Sequence, residues 1–137
     1  MSPAGLLAAA EAAMEQAWAP YSGFRVGAAL LCADGTVFTG CNIENAAFTP
    51  TVCAERVALF KAVSEGRRDF TAIAVASGRE GRADGGFPPC GVCRQALAEF
   101  CAPDLAVYVR RKDGSPAAYT LGELLPEAFG PAYLGSQ

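Results

Sequence analysis

The spacing of hydrophobic residues changes along the chain, and the first stretch has the period of a helix. Leu6, Ala10 and Met14 recur near helical spacing inside segment 5–19, which is rich in Ala, Leu, Glu and Gln. These residue types favour helices, and a recurrence near the helical repeat indicates one apolar face. Pro20 follows and ends the predicted helix, because proline cannot donate the next backbone hydrogen bond.

Apolar or β-branched runs predict short strands. The runs 26–32 and 36–41 are joined by A-D-G at 33–35, and an Asp-Gly pair favours the tight turn of a β-hairpin. Segment 71–77 is almost continuously apolar, as in a strand that is buried on both faces. Two further strands are predicted at 105–111 and 117–120.

Helices alternate with the later strands. They are predicted at 53–65, 93–101 and 121–125. Segments 42–52 and 78–89 are predicted loops, because they contain proline and lack a clear period. This order predicts an α/β fold, a three-layer α/β/α sandwich whose mixed β-sheet of about five strands is covered on both faces.

Composition fits one domain and argues against a polyanionic partner. A chain of 137 residues that is 52% hydrophobic can bury a core, so we predict a single domain over 1–137. A formal net charge of −3 with scattered Lys and Arg gives no field that would attract nucleic acid. The sequence contains no bilayer-spanning segment, and its alanine-rich start lacks the basic region of a signal peptide, which predicts a cytoplasmic protein.

Three of the six cysteines lie at predicted helix starts. The stretch P-P-C-G-V-C-R-Q at 88–95 contains Cys90 and Cys93, and Cys53 begins another helix. Helix N-termini stabilise thiolates, which suits both redox work and metal binding. A redox dithiol would need only the pair, whereas three thiolates match a catalytic zinc site that keeps its fourth position for water. The other cysteines are predicted core residues: Cys32, Cys41 and Cys101.

A hydrolytic zinc site needs a proton carrier, and the chain contains no histidine. The carrier must then be a carboxylate, a lysine, a tyrosine or a thiol. Glu55 is the nearest candidate, because it follows Cys53 by two residues in the first helical turn. Arg56 follows Cys53 by three residues, so its guanidinium can return to the thiolates and offset the negative charge of a three-thiolate site.

Five sequence blocks resemble one known family. They are A-P-Y-S-G-F-R-V-G-A-A-L at 19–30, G-C-N-I-E-N-A-A-F at 40–48, C-A-E-R at 53–56, P-C-G-V-C-R-Q at 89–95 and L-L-P-E-A-F-G-P at 124–131. Together they are spread over residues 19–131, nearly the whole chain, and resemble the zinc-dependent nucleoside deaminases, in particular the small homotetrameric cytidine deaminases. A three-cysteine zinc site with an adjacent glutamate is common to such enzymes.

The resemblance implies hydrolytic deamination of cytidine and deoxycytidine to uridine and deoxyuridine, a reaction of pyrimidine salvage. One Zn²⁺ per chain would be held by Cys53, Cys90 and Cys93. Zinc-bound hydroxide would attack the ring, while Glu55 takes the proton of the water, protonates N3 and delivers a proton to the leaving amine.

The resemblance also implies the substrate contacts. Asn42 and Glu44 would hold ribose hydroxyls, and Ala54 would offer backbone groups to the base. Phe24 would pack against the pyrimidine ring, together with Phe129 from a neighbouring subunit. The expected partners are therefore a small nucleoside and further copies of the chain, without a nucleic acid polymer or a membrane.

The chain departs from the family pattern in two places. Phe48 stands where the family usually has tyrosine, so a phenolic hydroxyl near the expected subunit interface is missing. Val92 replaces the usual small residue between the paired cysteines, inside the turn. Neither change touches the zinc ligands or Glu55.

Other functions remain open at this level. A thiol oxidoreductase would use Cys90 and Cys93, and a non-catalytic zinc-stabilised binding module would give Glu55 no purpose. Blasticidin S deaminases have similar zinc motifs, but the N-I-E-N and A-F-G-P blocks favour a plain nucleoside. An enzyme acting on polynucleotides would commonly show a histidine ligand and a basic face.

Overall fold

The observed elements follow the hydrophobic spacing closely in the computed structural model of the chain, which describes residues 1–79 and 86–135. In chain order they are α1 (Pro3–Ala13), β1 (Phe24–Cys32), β2 (Val37–Cys41), α2 (Ala54–Ser64), β3 (Phe70–Arg79), α3 (Gly91–Phe100), β4 (Ala106–Arg110), β5 (Pro116–Thr120) and α4 (Leu121–Leu124). Short 3₁₀ turns at Met14–Gln16 and Pro131–Leu134 follow α1 and α4.

The described strands form one sheet of five in the order β2-β1-β3-β4-β5. β3 and β4 pair in parallel, while the other neighbours are antiparallel. The predicted mixed sheet of about five strands is therefore confirmed. Its central strand β3 is buried over almost its whole length, because both of its faces are covered.

Helices cover both faces of the sheet, and the alternation of side chains along β1 shows this most directly. Ala29 packs with Leu7 and Ala10 of α1 on one face. Ala28 and Leu30 point the other way, into a cluster that includes residues of α2 and α3. The three-layer arrangement follows from this alternation.

Two glycines allow the helices to lie unusually close to the sheet. A Cβ at Gly27 would lie 2.0 Å from the carbonyl oxygen of Ala10 in α1. A Cβ at Gly40 would lie 2.5 Å from both the carbonyl oxygen of Ala54 and the backbone nitrogen of Ala58 in α2. Gly40 thus fixes the position of the first turn of α2, which carries the candidate site.

The first helix is shorter than predicted. It ends at Ala13, and the 3₁₀ turn Met14–Gln16 leads into extended backbone. The reason is a long-range pairing: the backbone N–H of Trp18 donates to the carbonyl of Asn42 at 3.0 Å, and Glu44 N–H donates to the carbonyl of Trp18 at 2.8 Å. These bonds hold the chain out of a helix before Pro20 is reached.

Other boundaries differ by a few residues. The third helix begins at Gly91 rather than at Cys93, and β1 begins at Phe24 rather than at position 26. Of the predicted loop 78–89, residues 78 and 79 belong to β3, 80–85 lie outside the described residues, and 86–89 have no regular structure. Within the described ranges, every helix is too short or too polar to traverse a lipid bilayer.

Candidate active site

The N-termini of α2 and α3 converge and bring three cysteines together. Cys53 is the N-cap residue of α2, Cys90 is the N-cap residue of α3, and Cys93 lies in the first turn of α3. Their sulfur atoms all lie within 4.8 Å of one another, and Cys53 Sγ is 3.8 Å from Cys90 Sγ. In neither helix does the cap side chain bond to the backbone N–H groups of the first turn, so both sulfurs remain directed at the cluster.

The charges around the sulfur atoms favour a cation at their centre. Hydrogen bonds from Cys93 and then from Arg56 and Cys90 lower the pKa of the Cys53 thiol to about 5. The pKa of the Cys93 thiol is raised, first because its hydrogen goes to Cys53 and then because it is buried. The first thiolate therefore forms readily, but its negative charge disfavours ionisation of a second thiol. A divalent cation bound between the sulfur atoms would remove this repulsion.

The donor set fits zinc. Three sulfur ligands supply the soft donors that zinc accepts, and they leave one of its four tetrahedral positions open. Cys93 is buried, Cys53 is half-buried and Cys90 is exposed, so the cluster lies at the surface end of the two helices with an open side. The arrangement matches a catalytic zinc site rather than a closed structural one.

Arg56 lies against the sulfur cluster, one helical turn after Cys53. Its Nη2 donates to Cys53 Sγ at 3.6 Å, and this bond is the main reason that the pKa of the guanidinium is raised. Its Nε is buried without a hydrogen-bond partner among the described residues. The guanidinium therefore places positive charge beside the thiolates and keeps one donor unused.

Glu55 is the buried carboxyl group of the site. It is 4% exposed, although it belongs to the first turn of α2 and glutamate is rarely buried. Burial raises its pKa to about 7, and the neighbouring Cys53 adds to the effect. A carboxyl group whose pKa is near 7 can both accept and donate a proton at physiological pH.

Asn42 is buried and bonded to the backbone of β1. Its Oδ1 accepts from Val26 N–H at 2.8 Å, and its Nδ2 donates to the carbonyl of Phe24 at 2.8 Å. A primary amide has two donors and two acceptor positions, so these bonds leave one of each. Asn42 therefore fixes the start of β1 and keeps capacity for a ligand.

Glu44 is held by one short turn. Its Oε1 accepts from the backbone N–H groups of Tyr21 and Ser22 at 2.9 and 3.1 Å, and its Oε2 accepts from Ser22 Oγ. The Ser22 hydrogen bond is the main reason that the pKa of Glu44 is lowered. Three of about four acceptor positions of the carboxylate are occupied, which leaves one for a hydroxyl donor.

A cavity of about 350 Å³ adjoins Glu44. Its walls include Tyr21, Ser22, Phe48 and Thr51, but none of the three cysteines. Phe48 is 73% exposed and has a φ of 64°, an uncommon value for a bulky side chain. The cavity therefore lies on the Glu44 side of the site.

The other three predicted substrate contacts, Ala54, Phe24 and Phe129, lie in different environments. Ala54 is fully buried at the first position of α2, directly after Cys53. The ring of Phe24 stacks on that of Phe87, with centroids 5.6 Å apart. In the part of the chain that the structure describes, the ring contact of Phe129 is with Tyr133, and Phe129 is 55% exposed. The structure thus brings the three cysteines, Glu55 and Arg56 together, but leaves the ring of Phe129 on the surface.

Comparison with known proteins identifies the family of this site. The sequence profile of the cytidine and deoxycytidylate deaminase zinc-binding region matches residues 3–109, which include all three cysteines. The chain belongs to this zinc-dependent deaminase family. It is 52% identical over 124 residues to a cytidine deaminase of Sporosarcina psychrophila, covering 90% of this chain and 88% of the relative.

Two further comparisons agree with this family. A cytidine deaminase of Halalkalibacterium halodurans is 54% identical over 117 residues, which cover 85% of this chain and 86% of the relative. The crystal structure of cytidine deaminase from Burkholderia pseudomallei superposes with a TM-score of 0.85 at 46% identity, covering 94% of this chain and all of that one. The deaminase fold expected from the sequence is therefore confirmed.

Several residues that support the deaminase site were not singled out in the sequence. Arg94 Nε donates to the carbonyl of Pro89 at 2.6 Å, and its Nη1 donates to the carbonyl of Leu124 at 2.7 Å. Gln95 Nε2 donates to the carbonyl of Phe129 at 2.9 Å. Arg94 and Gln95 belong to the block at 89–95, so their place directly after Cys93 was the available signal. Ser22 belongs to the block at 19–30, which was the corresponding signal for it.

Proposed function

We propose that the protein deaminates cytidine and deoxycytidine hydrolytically, producing uridine or deoxyuridine and ammonia. The observation that carries this proposal is the buried carboxyl group of Glu55 in the same helical turn as a cluster of three sulfur atoms within 4.8 Å. A redox dithiol would need neither the third sulfur nor the carboxyl group, and a structural zinc site would not leave a position open. Family membership supports the same reaction.

Zinc held by Cys53, Cys90 and Cys93 would supply a Lewis acid that makes water acidic enough to be a nucleophile at neutral pH. Glu55 then moves the protons. Its carboxylate accepts one proton from the attacking water and gives it to N3 of the cytosine ring. It then accepts the proton of the hydroxyl group now on C4 and delivers it to the departing amine, so that the C4 carbonyl forms and ammonia leaves. A pKa raised to about 7 by burial suits both directions of transfer.

Arg56 maintains the charge balance of the site. Its guanidinium donates to Cys53 Sγ and withdraws charge from that thiolate. Three thiolates and a dication sum to about −1, so a neighbouring cation keeps the site from becoming too electron-rich to polarise water. We propose this supporting role for Arg56 rather than direct contact with the nucleoside.

The substrate contacts follow from donor and acceptor capacity. Asn42 and Glu44 hold ribose hydroxyls with the bonding positions that remain unused in the chain. Ala54 offers backbone groups to the base at the N-terminus of α2, and the Phe24 ring packs against the pyrimidine. Buried polar groups of this kind reject analogues that lack the matching hydroxyl.

We propose that the active form is a homotetramer whose pockets are shared between subunits. Large aromatic side chains are exposed in the single chain, including Phe48, Phe129 and Tyr133 at 73%, 55% and 70%. Contiguous exposed aromatic groups, such as the stacked rings of Phe129 and Tyr133, are typical of interaction surfaces. The partner subunit's Phe129 then completes the pocket at the pyrimidine ring, which the ring stacked on Tyr133 does not do within its own chain.

The biological setting is proposed to be pyrimidine salvage in the cytoplasm, by a single domain spanning 1–137. The site needs reduced sulfur ligands, and a reducing compartment keeps thiols available for zinc. All six cysteines are free in the structure, in agreement with this setting. Product nucleosides without the amine would feed uracil nucleotide synthesis.

The test is direct. Purified protein is mixed with cytidine or deoxycytidine, and the loss of cytidine absorbance is followed as uridine forms, alongside a zinc assay. Turnover that disappears in Glu55→Gln supports the proposal. No turnover of either nucleoside, with zinc present, would refute it and favour blasticidin S deamination or a zinc-stabilised binding module.

A further inference from the structure

Arg79, the last residue of β3, connects the two halves of the proposed substrate pocket. It lies directly opposite Phe24 in the antiparallel pairing of β1 and β3. Its guanidinium carbon is 5.5 Å from the centroid of the Phe24 ring, within the range of a cation–π contact. Its Nη1 also donates to the carbonyl of Ser22 at 2.9 Å. One side chain therefore contacts both the ring of Phe24 and the turn before it.

Ser22 passes the constraint from Arg79 to Glu44. Its hydroxyl oxygen accepts from Phe24 N–H at 3.0 Å, so its own hydrogen is directed to Glu44 Oε2. Its backbone N–H donates to Glu44 Oε1 at 3.1 Å. The carbonyl of Ser22 is thus fixed by Arg79, and its N–H and hydroxyl fix the carboxylate of Glu44.

Apart from its hydrogen bonds to Glu44 and the edge contact between the rings of Tyr21 and Phe48, the turn that carries Ser22 is held by few contacts. Residues 20–23 are exposed, so they gain little from core burial. Gly23 adopts a φ of 70° and closes the turn with a hydrogen bond from its N–H to the carbonyl of Ala19 at 2.9 Å. A turn stabilised by so few contacts moves readily unless a side chain from another element restrains it. Arg79 supplies that restraint from β3.

The Phe24 ring has a second neighbour in Phe87. Their centroids are 5.6 Å apart and their planes differ by 17°. Phe87 and Arg79 come from different segments, so the ring is oriented by contacts from both. A ring held in this way loses less conformational freedom when it packs on a base.

We propose that Arg79 is a positioning residue for nucleoside binding, which orients the Phe24 ring on the base side and the Glu44 carboxylate on the sugar side. The inference rests on the proposed function, because it assigns Phe24 and Glu44 to substrate. Arg79 has no place in proton transfer, so its loss weakens binding and sugar discrimination while the chemical step continues. The fork of the guanidinium is required, since one group must cover a ring and donate to a carbonyl together.

The experiment compares Arg79→Met, Arg79→Lys and the control Arg111→Met in the full-length, zinc-loaded protein. Arg111 is an exposed arginine between β4 and β5. KM and kcat are measured for cytidine, and kcat/KM is also measured for 2′,3′-dideoxycytidine, which lacks both ring hydroxyls of the sugar. Arg79→Met should raise KM for cytidine about fivefold, as expected from the loss of one cation–π contact and one hydrogen bond. Over the same change, kcat should stay within about twofold of the wild type.

Two further readouts separate positioning from a merely structural role. The preference for cytidine over the dideoxy analogue should fall in Arg79→Met, and the same substitution in a Glu44→Ala background should lower it no further. Arg79→Lys should lie between Arg79→Met and the wild type. Zinc content and the thermal midpoint should match those of the wild type in all Arg79 variants.

The outcomes are distinguishable. Wild-type turnover combined with an unchanged KM in Arg79→Met, or with an equal rise in Arg111→Met, overturns the inference and leaves the proposed function standing. A loss of zinc or of thermal stability that accounts for the change in KM overturns it as well. Absence of wild-type turnover overturns the proposed function, and the inference falls with it.

Discussion

Gly40 of β2 and Ala54 of α2 lie so close that no side chain fits between them. A Cβ at position 40 would be 2.5 Å from the carbonyl oxygen of Ala54, which is backbone and cannot rotate away. Ala54 directly follows Cys53 and precedes Glu55. The contact therefore sets how deeply the first turn of α2, with a sulfur ligand and the buried carboxyl group, sits against the sheet.

Gly40→Ala should displace this turn and weaken both folding and metal binding. Overpacking of this kind costs about 1–3 kcal/mol, so the midpoint of urea unfolding should fall measurably. Zinc should also be lost at a lower chelator concentration than in the wild type, because Cys53 moves with the helix. The measurements are urea unfolding and chelator titration of the zinc-loaded protein.

Gly5→Ala is the matched control for that substitution. The atoms nearest to a Cβ at Gly5 belong to the side chains of Met1 and Ser2, at 3.2 Å, which can shift, and the position is helical, where alanine is favoured. Stability should be unchanged or slightly higher. Wild-type stability and zinc retention in Gly40→Ala would show that α2 can withdraw without consequence for the site.

Each chain should bind one zinc, and each of the three sulfur ligands should be required. Cys53→Ala, Cys90→Ala and Cys93→Ala should each abolish deamination, since removing one sulfur leaves only two protein ligands. Zinc per chain is measured by metal analysis of the dialysed protein. Cys101→Ala serves as the control, because Cys101 lies outside the cluster. Full activity in any ligand variant would exclude the three-sulfur site.

Glu55→Gln should keep zinc and fold but lose at least about 10⁴-fold in kcat, because one group carries out every proposed proton transfer. The amide preserves shape and removes the cost of burying a group that ionises near pH 7, so the thermal midpoint should not fall. Single-turnover kinetics with cytidine measure the chemical step directly. A variant within tenfold of the wild type would remove Glu55 from the mechanism.

The Asp34 carboxylate in the turn between β1 and β2 should make the free energy of unfolding depend on pH. Hydrogen bonds from Thr36 N–H and then from Arg67 lower the pKa of Asp34 to about 2. Since the folded pKa lies below the unfolded value of about 3.9, Asp34 stabilises the native state above that pH and loses its contribution as pH falls through about 2. Asp34→Asn should therefore be less stable than the wild type at neutral pH, by a difference that shrinks between about pH 4 and pH 2.

Urea unfolding at a series of pH values checks this difference. The control is Asp104→Asn, which removes another exposed carboxylate. Its effect on stability shows what the loss of one negative charge does without the hairpin hydrogen bonds. The effect is expected to be small, because the Asp34 side chain is 57% exposed and Arg67 is 36% exposed. A difference that is constant with pH would show that ionisation of Asp34 is not coupled to folding.

The sulfur cluster was predictable because its information is local. Cys53 and the pair Cys90 and Cys93 each lie at a predicted helix N-terminus, behind a loop that follows a strand, and helix N-termini favour thiolates. The spacing of Glu55 and Arg56 from Cys53 is likewise fixed by the helical repeat. Such features need no knowledge of distant contacts.

The substrate side of the site was less predictable, because it depends on pairing between distant segments. The end of α1 is set by bonds between Trp18 and the segment at 42–44, which no local period reveals. The same holds for Ser22 and Glu44, which are far apart in sequence yet share hydrogen bonds. Apart from its place in the block at 19–30, a serine in an exposed turn has no local pattern that distinguishes it from other turn residues.

The assembly can be tested by mixing two variants that are impaired in different ways. If the partner subunit's Phe129 completes each pocket, Phe129→Ala should raise KM for cytidine by more than it changes zinc content, since the ring touches substrate and not metal. Removing an aromatic contact of this kind costs about 1 kcal/mol beyond its buried area, so a rise of at least fivefold is expected.

Glu55→Gln chains keep Phe129, and Phe129→Ala chains keep Glu55. In mixed tetramers some pockets regain both groups, and activity should exceed the weighted sum of the parents once exchange is shown by mass spectrometry of the assemblies. Exchange without recovery, or a fully active monomer in sedimentation, would mean that Phe129 acts within its own chain and that the exposed aromatic side chains have another purpose.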